Sequence, residues 1–192
     1  MKTMKNKLTL KIQIPSQCNP SLQKDKSQNE IDCTHIIDNI YISNYKTSTN
    51  YNYLKNNNFS YIINCAGGCQ NFTPVIFEEF KYLTINLRDH NESNIQEGAN
   101  LIIDFIEKIP KNDSNNNKIL FHCFEGISRA PALVIAYLIK TKGIMFEKAF
   151  GLVKEKRTIV DINIGFLLQL KNMEHIFLNQ NSCLFKPLYS FV

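Results

Sequence analysis

Short apolar runs bounded by polar or turn-forming residues recur along the chain and predict β-strands. One run is followed by two glycines, Gly67 and Gly68, which indicate a turn. The last run combines Ile, Leu and Phe and indicates a buried strand that leads directly into a cysteine. The predicted strands are residues 36–43, 60–64, 82–86 and 118–122.

A second periodicity, in which apolar residues are spaced by steps of four and three, predicts helices around these strands. It is clearest over residues 95–109, where Asn94 and Glu97 form a capping-box pattern at the start and Pro110 ends the helix. Further helices are predicted at residues 51–55, 129–140, 146–156 and 163–177.

The alternation of strands and helices predicts an α/β fold, a layered mixed or parallel sheet with helices on both faces. Residues 129–140 are almost free of polar side chains, so we expect this helix to be central and nearly fully buried. Pro131 is tolerated there because it lies in the first turn, and Gly143 ends the helix.

The polarity of the chain predicts three segments. Residues 1–30 are polar and predict a mobile basic tail, residues 31–180 a single catalytic domain, and residues 181–192 a C-terminal tail. Within the first tail, residues 7–14 alternate between apolar and polar side chains. This pattern indicates either a short edge strand or a peptide that another protein binds.

Composition and charge argue against several classes of protein. The 192 residues are 44% apolar, which indicates one domain with a real core rather than a disordered chain. Six lysines against Asp25 and Glu30 give residues 1–30 a net charge of +4, so only +1 of the total +5 belongs to the rest. A near-neutral body argues against nucleic-acid binding. Neither a secretory signal nor an apolar run of bilayer length is present, which predicts a cytoplasmic or nuclear protein without a membrane span.

Six scattered cysteines in such a chain indicate reduced thiols rather than a disulfide framework. Cys65 and Cys69 form a C-x3-C pair, but no second pair completes a zinc site. We therefore expect no metal site.

Residues 118–131 contain the candidate catalytic residues. A buried strand runs into Cys123, a short loop containing Gly126 follows, and Arg129 begins a buried helix. The loop N–H groups and the helix N-terminus form a site for an oxyanion, and the guanidinium of Arg129 can hold two phosphate oxygens. We expect Cys123 to be the reactive thiolate in this positive field, and His122 to hold the loop through hydrogen bonds.

The octapeptide His-Cys-Phe-Glu-Gly-Ile-Ser-Arg at residues 122–129 resembles the HC-x5-R signature of the cysteine-dependent protein phosphatases. The serine before the arginine is similar to the dual-specificity branch, and Glu125 and Pro131 are similar to its small atypical, vaccinia-related members. The resemblance extends over residues 36–174 and implies a protein tyrosine phosphatase-like fold.

The resemblance implies a two-step reaction without a metal or other cofactor. Cys123 attacks phosphorus, and Asp89, after the strand at residues 82–86, protonates the leaving oxygen and later acts as the base; Glu92 is the alternative acid. The implied phosphate-binding loop consists of His122, Phe124, Glu125, Gly126, Ile127, Ser128 and Arg129.

Several positions depart from the family or leave a choice open. Ala130 stands where most active relatives have Ser or Thr, whose hydroxyl stabilises the departing thiolate, so we expect the second step to be slow. Arg157 could contact a second phosphate or be a solvated helix-end cation, and the absence of the family's prolines at Thr158 and Ile162 predicts a looser loop. Cys65 could be a buried free thiol or, as in some relatives, a redox partner of the nucleophile.

The implied substrates are phosphoproteins carrying phosphotyrosine and phosphoserine or phosphothreonine. The alternatives are a catalytically weak protein that binds phosphoproteins, a phosphatase for inositol lipids or RNA ends, and a redox or sulfur-transfer protein. Relatives acting on polyanions tend to carry Lys or His in the loop, where this chain has Phe124, Glu125 and Ile127.

Lys5 and Lys7, followed by alternating apolar residues, resemble docking peptides for mitogen-activated protein kinases. The resemblance implies that these kinases are partners. A disordered tail or an edge strand are the alternatives.

Overall fold

The computed structural model describes residues 31–68, 75–110 and 117–181, with side chains as far as residue 177. A five-stranded sheet in this part of the chain has the order β1-β2-β5-β3-β4, and every neighbouring pair is parallel except β1 and β2. The strands are β1 (Cys33–Ile37), β2 (Ile40–Ser43), β3 (Phe59–Asn64), β4 (Lys81–Thr84) and β5 (Lys118–His122).

The prediction of a single first strand over residues 36–43 was wrong. The segment contains the end of β1, the turn of an antiparallel hairpin and the whole of β2, and Ile37 pairs with Ile40 across the turn. Asp38 adopts φ 48° at the turn, a left-handed conformation that Asp tolerates better than most residues. Because apolar residues flank Asp38 and Asn39 on both sides, the apolar pattern alone did not reveal the reversal.

The predicted helices are confirmed with small changes at their ends. Asn94 caps α3 by accepting a hydrogen bond from the N–H of Gln96 at 2.8 Å, and α4 ends at Gly143. The helices are α1 (Tyr45–Ser48), α2 (Tyr51–Asn56), α3 (Ile95–Glu107), α4 (Arg129–Lys142), α5 (Phe146–Lys156) and α6 (Ile164–Asn181). None of the described helices is long and apolar enough to cross a membrane.

The two faces of the sheet bury different sets of side chains, as the strand periodicity of two requires. On β5, Ile119 and Phe121 enter the main core, and Leu120 enters a smaller cluster with Leu54 of α2. Helix α4 lies in the main core and packs against α3, α5 and α6. The expected α/β sheet with helices on both faces is therefore confirmed.

The position of β5 in the sheet determines where the signature residues lie. Asn64 of β3 is in register with His122, and the N–H of Cys65 donates to the carbonyl of His122 at 2.8 Å. The carboxyl ends of the parallel strands meet at this edge, where ligands commonly bind in open α/β sheets. The predicted N-terminal tail with its period-two stretch at residues 7–14, the predicted C-terminal tail beyond Asn181, and Cys18, Cys69 and Cys183 lie outside the described residues.

Candidate active site

The loop between β5 and α4 folds around the sulfur of Cys123. The N–H of Gly126 donates a hydrogen bond to Cys123 Sγ at 3.2 Å. Gly126 has φ 69°, and a Cβ at this position would lie 2.6 Å from the carbonyl oxygen of Ser43. The loop therefore requires glycine both for its backbone conformation and for its close approach to β2.

The start of α4 lacks the usual side-chain cap. Ser128 occupies the N-cap position but makes no capping hydrogen bond. Its hydroxyl donates instead to Asp89 Oδ1 at 2.7 Å. The first N–H groups of α4 are therefore left without a side-chain cap at the end of the helix where the macrodipole attracts anions.

Arg129 and Asp89, predicted separately from the sequence, lie together. The guanidinium of Arg129 is nearly buried, and its Nε lies 3.6 Å from Asp89 Oδ2 while Nη1 lies 3.5 Å from the carbonyl of Leu87. The Asp89 side chain is 36% exposed. The carboxyl group of Asp89 thus lies beside the start of α4 and keeps access to solvent.

These groups line one open cleft of about 390 Å³. Glu92 is exposed and does not contribute to the cleft, in contrast to Asp89. The lining residues are Asp89, Cys123, Phe124, Glu125, Ile127, Ser128, Arg129, Asp161, Ile162 and Asn163. Most of the predicted phosphate-binding loop thus lies on this surface.

His122 lies behind the loop rather than in the cleft. Its Nδ1 is 3.4 Å from the carbonyl oxygen of Cys123, and the ring is nearly buried. Burial lowers the pKa of His122 to about 4, so the imidazole is neutral at physiological pH. With Cys123 and Phe124 it also borders a second, small cavity of about 20 Å³.

Arg157 supports the loop from behind, and both interpretations of it from the sequence were wrong. Its side chain is 2% exposed and forms a two-pronged ion pair with Asp32, at 2.6 Å and 2.7 Å. It also donates to the carbonyl oxygens of Gly126 at 2.8 Å and Glu125 at 3.1 Å. The pattern did not predict this role because Asp32 precedes Arg157 by 125 residues.

The side chain of Glu125 is exposed at the rim of the cleft. Ala130 is fully buried at the start of α4, and its methyl group offers no hydrogen-bond donor.

Cys65 is a free, buried thiol at the end of β3, beside the strand that leads to Cys123. Burial and, second, the neighbouring Cys123 raise the pKa of the Cys65 thiol well above its usual range. Cys65 is therefore protonated at neutral pH.

Asn163 is the site residue that the sequence did not indicate. Its Nδ2 donates to Asp89 Oδ1 at 2.7 Å, so that oxygen accepts hydrogen bonds from both Ser128 and Asn163. The only local signal was its place directly before α6, which is also typical of a simple helix cap.

With this geometry established, the comparisons with known proteins identify the family. Residues 40–176 match the profile described as Dual specificity phosphatase, catalytic domain. The chain belongs to the dual specificity phosphatase family. The recognition made from residues 122–129 is therefore confirmed.

Two curated relatives of this family member illustrate the match. The chain is 33% identical over 150 residues to Protein-tyrosine-phosphatase MKP1 of Arabidopsis thaliana. This match covers 76% of the chain and 18% of that protein. The chain is 34% identical over 139 residues to MAP kinase phosphatase with leucine-rich repeats protein 1 of Dictyostelium discoideum, covering 72% and 16%. The chain thus spans less than a fifth of the length of either relative.

Among solved structures, the human tyrosine phosphatase-like serine/threonine/tyrosine-interacting protein superposes with a TM-score of 0.68 at 27% identity. The match covers 77% of this chain and 98% of that chain. The similarity therefore extends over nearly the whole of the solved domain.

Proposed function

We propose that this protein is a phosphatase that hydrolyses phosphotyrosine and phosphoserine or phosphothreonine in proteins through a phosphocysteine intermediate. The observation that carries the proposal is one cleft lined by Cys123, Arg129 and Asp89, with a loop N–H 3.2 Å from the sulfur. Its open shape suits the short side chains of phosphoserine and phosphothreonine as well as phosphotyrosine.

In the first step, the Cys123 thiolate attacks phosphorus, a P–S bond forms, and the bond to the leaving oxygen breaks. Asp89 transfers its proton to that oxygen, so the substrate leaves as a neutral hydroxyl group. Arg129 and the loop N–H groups stabilise the charge on the remaining phosphoryl oxygens.

In the second step, water attacks the phosphocysteine, Asp89 accepts its proton, and the P–S bond breaks to give phosphate and the thiolate. Most relatives supply a hydroxyl next to the departing sulfur, but Ala130 cannot donate a hydrogen bond. We therefore propose that the phosphocysteine accumulates because its hydrolysis is slow.

The test uses a chromogenic phosphate ester with the unmodified chain, Cys123→Ser and Asp89→Asn. We expect no turnover from Cys123→Ser, and a loss of about 10²-fold or more from Asp89→Asn, the usual contribution of general acid catalysis. Turnover that persists in Cys123→Ser would overturn the proposed mechanism, and unchanged turnover in Asp89→Asn would overturn only the role of the acid.

A second candidate function follows from Ala130, a weak phosphatase whose main role is to bind phosphoproteins. A stable phosphoenzyme or long-lived complex would favour it, as would retention of a phosphopeptide by the unmodified chain. Multiple turnovers per minute on a phosphopeptide would exclude it.

The substrate class is supported by the relatives. The Dictyostelium relative is named as a MAP kinase phosphatase, and mitogen-activated kinases are the partners that Lys5 and Lys7 suggested from the sequence. We propose phosphorylated kinases of this class as substrates. Deletion of residues 1–14 should weaken binding to such a kinase, and equal binding would contradict docking through this segment.

We also propose that Cys65 protects the nucleophile from irreversible oxidation. Peroxide converts the Cys123 thiolate to the sulfenic acid, and the Cys65 thiol then condenses with it, so that an S–S bond forms and water leaves. Mass spectrometry after mild peroxide treatment should detect a Cys65–Cys123 disulfide. Sulfinic Cys123 with reduced Cys65 would contradict the proposal.

A further inference from the structure

The acid loop, residues 85–94 between β4 and α3, carries Asp89 and is held by the start of α6. We propose that Asn163, Gly165 and Gln169 form an acid-loop clamp that fixes the position of Asp89 for proton transfer. The clamp rests on the proposed role of Asp89 as general acid, but its structural part can be tested separately.

The amide of Asn163 has a defined orientation. Its Oδ1 accepts a hydrogen bond from the N–H of Phe166 at 2.9 Å, as a helix N-cap does. The amide nitrogen is therefore the atom left to donate, and it lies 2.7 Å from Asp89 Oδ1. A single side chain thus joins the start of α6 to the proposed acid.

The rest of the acid loop contacts α6 at two further points. The N–H of Gly165 donates to Asn91 Oδ1 at 3.3 Å, and a Cβ on Gly165 would overlap the carbonyl of Asn91. Gln169 bridges the end of the loop, since its Nε2 donates to the carbonyl of Ser93 at 2.8 Å and its Oε1 accepts from the N–H of Ile95 at 3.0 Å. Only glycine at position 165 permits the close approach.

These contacts orient the Asp89 carboxyl group. The hydroxyl of Ser128 and the amide of Asn163 both donate to Asp89 Oδ1. Oδ2 lies 3.6 Å from Arg129 Nε, and both side chains line the cleft that contains Cys123. The carboxyl group is thus held from one side by α6 and lies beside the site proposed for the phosphate.

Asn163→Ser tests the clamp, because serine still caps the helix but is too short to reach Asp89. Asn50→Ser is the matched control, since Asn50 caps α2 in the same way through the N–H of Tyr53 at 3.0 Å. The measured quantity is kcat/KM for two aryl phosphates, phenyl phosphate and an activated fluorinated ester whose leaving group needs little protonation.

We expect Asn163→Ser to lower kcat/KM for phenyl phosphate about tenfold or more, which is part of the 10²–10⁴-fold contribution of a general acid. For the activated ester, we expect kcat/KM to fall less than about threefold, because its leaving group needs little protonation. Asn50→Ser should match the unmodified chain on both. Equal losses on the two esters, or no loss on either, would overturn the positioning role.

Hydrogen–deuterium exchange tests the clamp without relying on activity. We expect the amides of residues 91–95 to exchange faster in Asn163→Ser than in Asn50→Ser. Unchanged exchange would overturn the clamp even in an active enzyme. If the unmodified chain hydrolysed neither ester, the proposed function would fail, whereas faster exchange would still support the clamp.

Discussion

The phosphate loop and the acid loop meet in one cleft but are stabilised in opposite ways. The phosphate loop is braced by Arg157, whose side chain is 2% exposed and paired with Asp32 behind the site. The acid loop is held close to the surface, where the Asp89 side chain is 36% exposed, accepts hydrogen bonds from the neutral groups of Ser128 and Asn163, and lies 3.6 Å from Arg129 Nε. The proposed anion site thus depends on a buried charge pair behind it, and the proposed proton transfer on hydrogen bonds close to water.

This difference predicts how the phosphate loop and the acid loop should respond to substitution. Loss of a partner in the buried pair leaves an uncompensated charge and affects the whole fold. Loss of a neutral hydrogen bond at the surface changes stability little but alters the position of one catalytic group. The predictions below test this contrast.

The largest effect on stability is expected from Arg157→Met, which should lower the free energy of unfolding by about 3 kcal/mol, the lower end for a buried pair because Asp32 is 30% exposed. Lys142→Met is the control, because it breaks the exposed pair with Asp38 and should cost less than about 1 kcal/mol. Urea unfolding measures both, and equal losses would remove the contrast between buried and exposed pairs.

Arg129→Lys should reduce kcat/KM by about 10²–10³-fold, as the loss of one oxyanion donor does, because lysine lacks the planar fork that holds two oxygens. The loss should be the same for phenyl phosphate and for the activated ester, since phosphate binding does not depend on the leaving group. A loss of kcat/KM that depended on the leaving group would indicate instead that Arg129 acts through Asp89.

His122, behind the phosphate loop, should make the fold sensitive to acid. Its pKa is lowered to about 4 in the folded chain, against an ordinary value of about 6.5. As the pH falls between these values, the unfolded chain binds a proton that the folded chain does not, so the free energy of unfolding decreases by roughly 3 kcal/mol in total.

His122→Gln should remove most of the difference that this group makes between pH 7 and pH 4. Chemical unfolding at the two pH values measures it, and His175→Gln, the same replacement at an exposed position, is the control. An acid sensitivity that persisted unchanged in His122→Gln would show that other groups cause it.

The smallest effect is expected from Ala130→Ser. A hydrogen bond to the departing thiolate should speed phosphocysteine hydrolysis about tenfold, the value of one charge-assisted bond. Stopped-flow kinetics should show a burst of leaving group from the unmodified chain and a smaller burst from Ala130→Ser. Ala136→Ser, a buried alanine further along α4, should behave like the unmodified chain. A chain without a burst would contradict the slow second step.

Much of the fold followed from local patterns. The strand Lys118–His122 and the helix Phe146–Lys156 have the bounds that the sequence predicted, because an apolar run and a helical stripe are properties of neighbouring residues. The hairpin at Asp38 did not follow, since the turn lies inside a continuous apolar pattern and depends on a single left-handed residue.

The sequence by itself was enough to predict the proposed nucleophile, the proposed phosphate loop and the helix behind it, because these lie within a few consecutive residues whose backbone geometry is locally encoded. Tertiary structure alone decided what supports them. Asn163 reaches Asp89 across 74 residues, and Arg157 reaches Asp32 across 125. Such contacts exist only after the sheet order has brought distant loops to one edge, and no spacing along the chain specifies them.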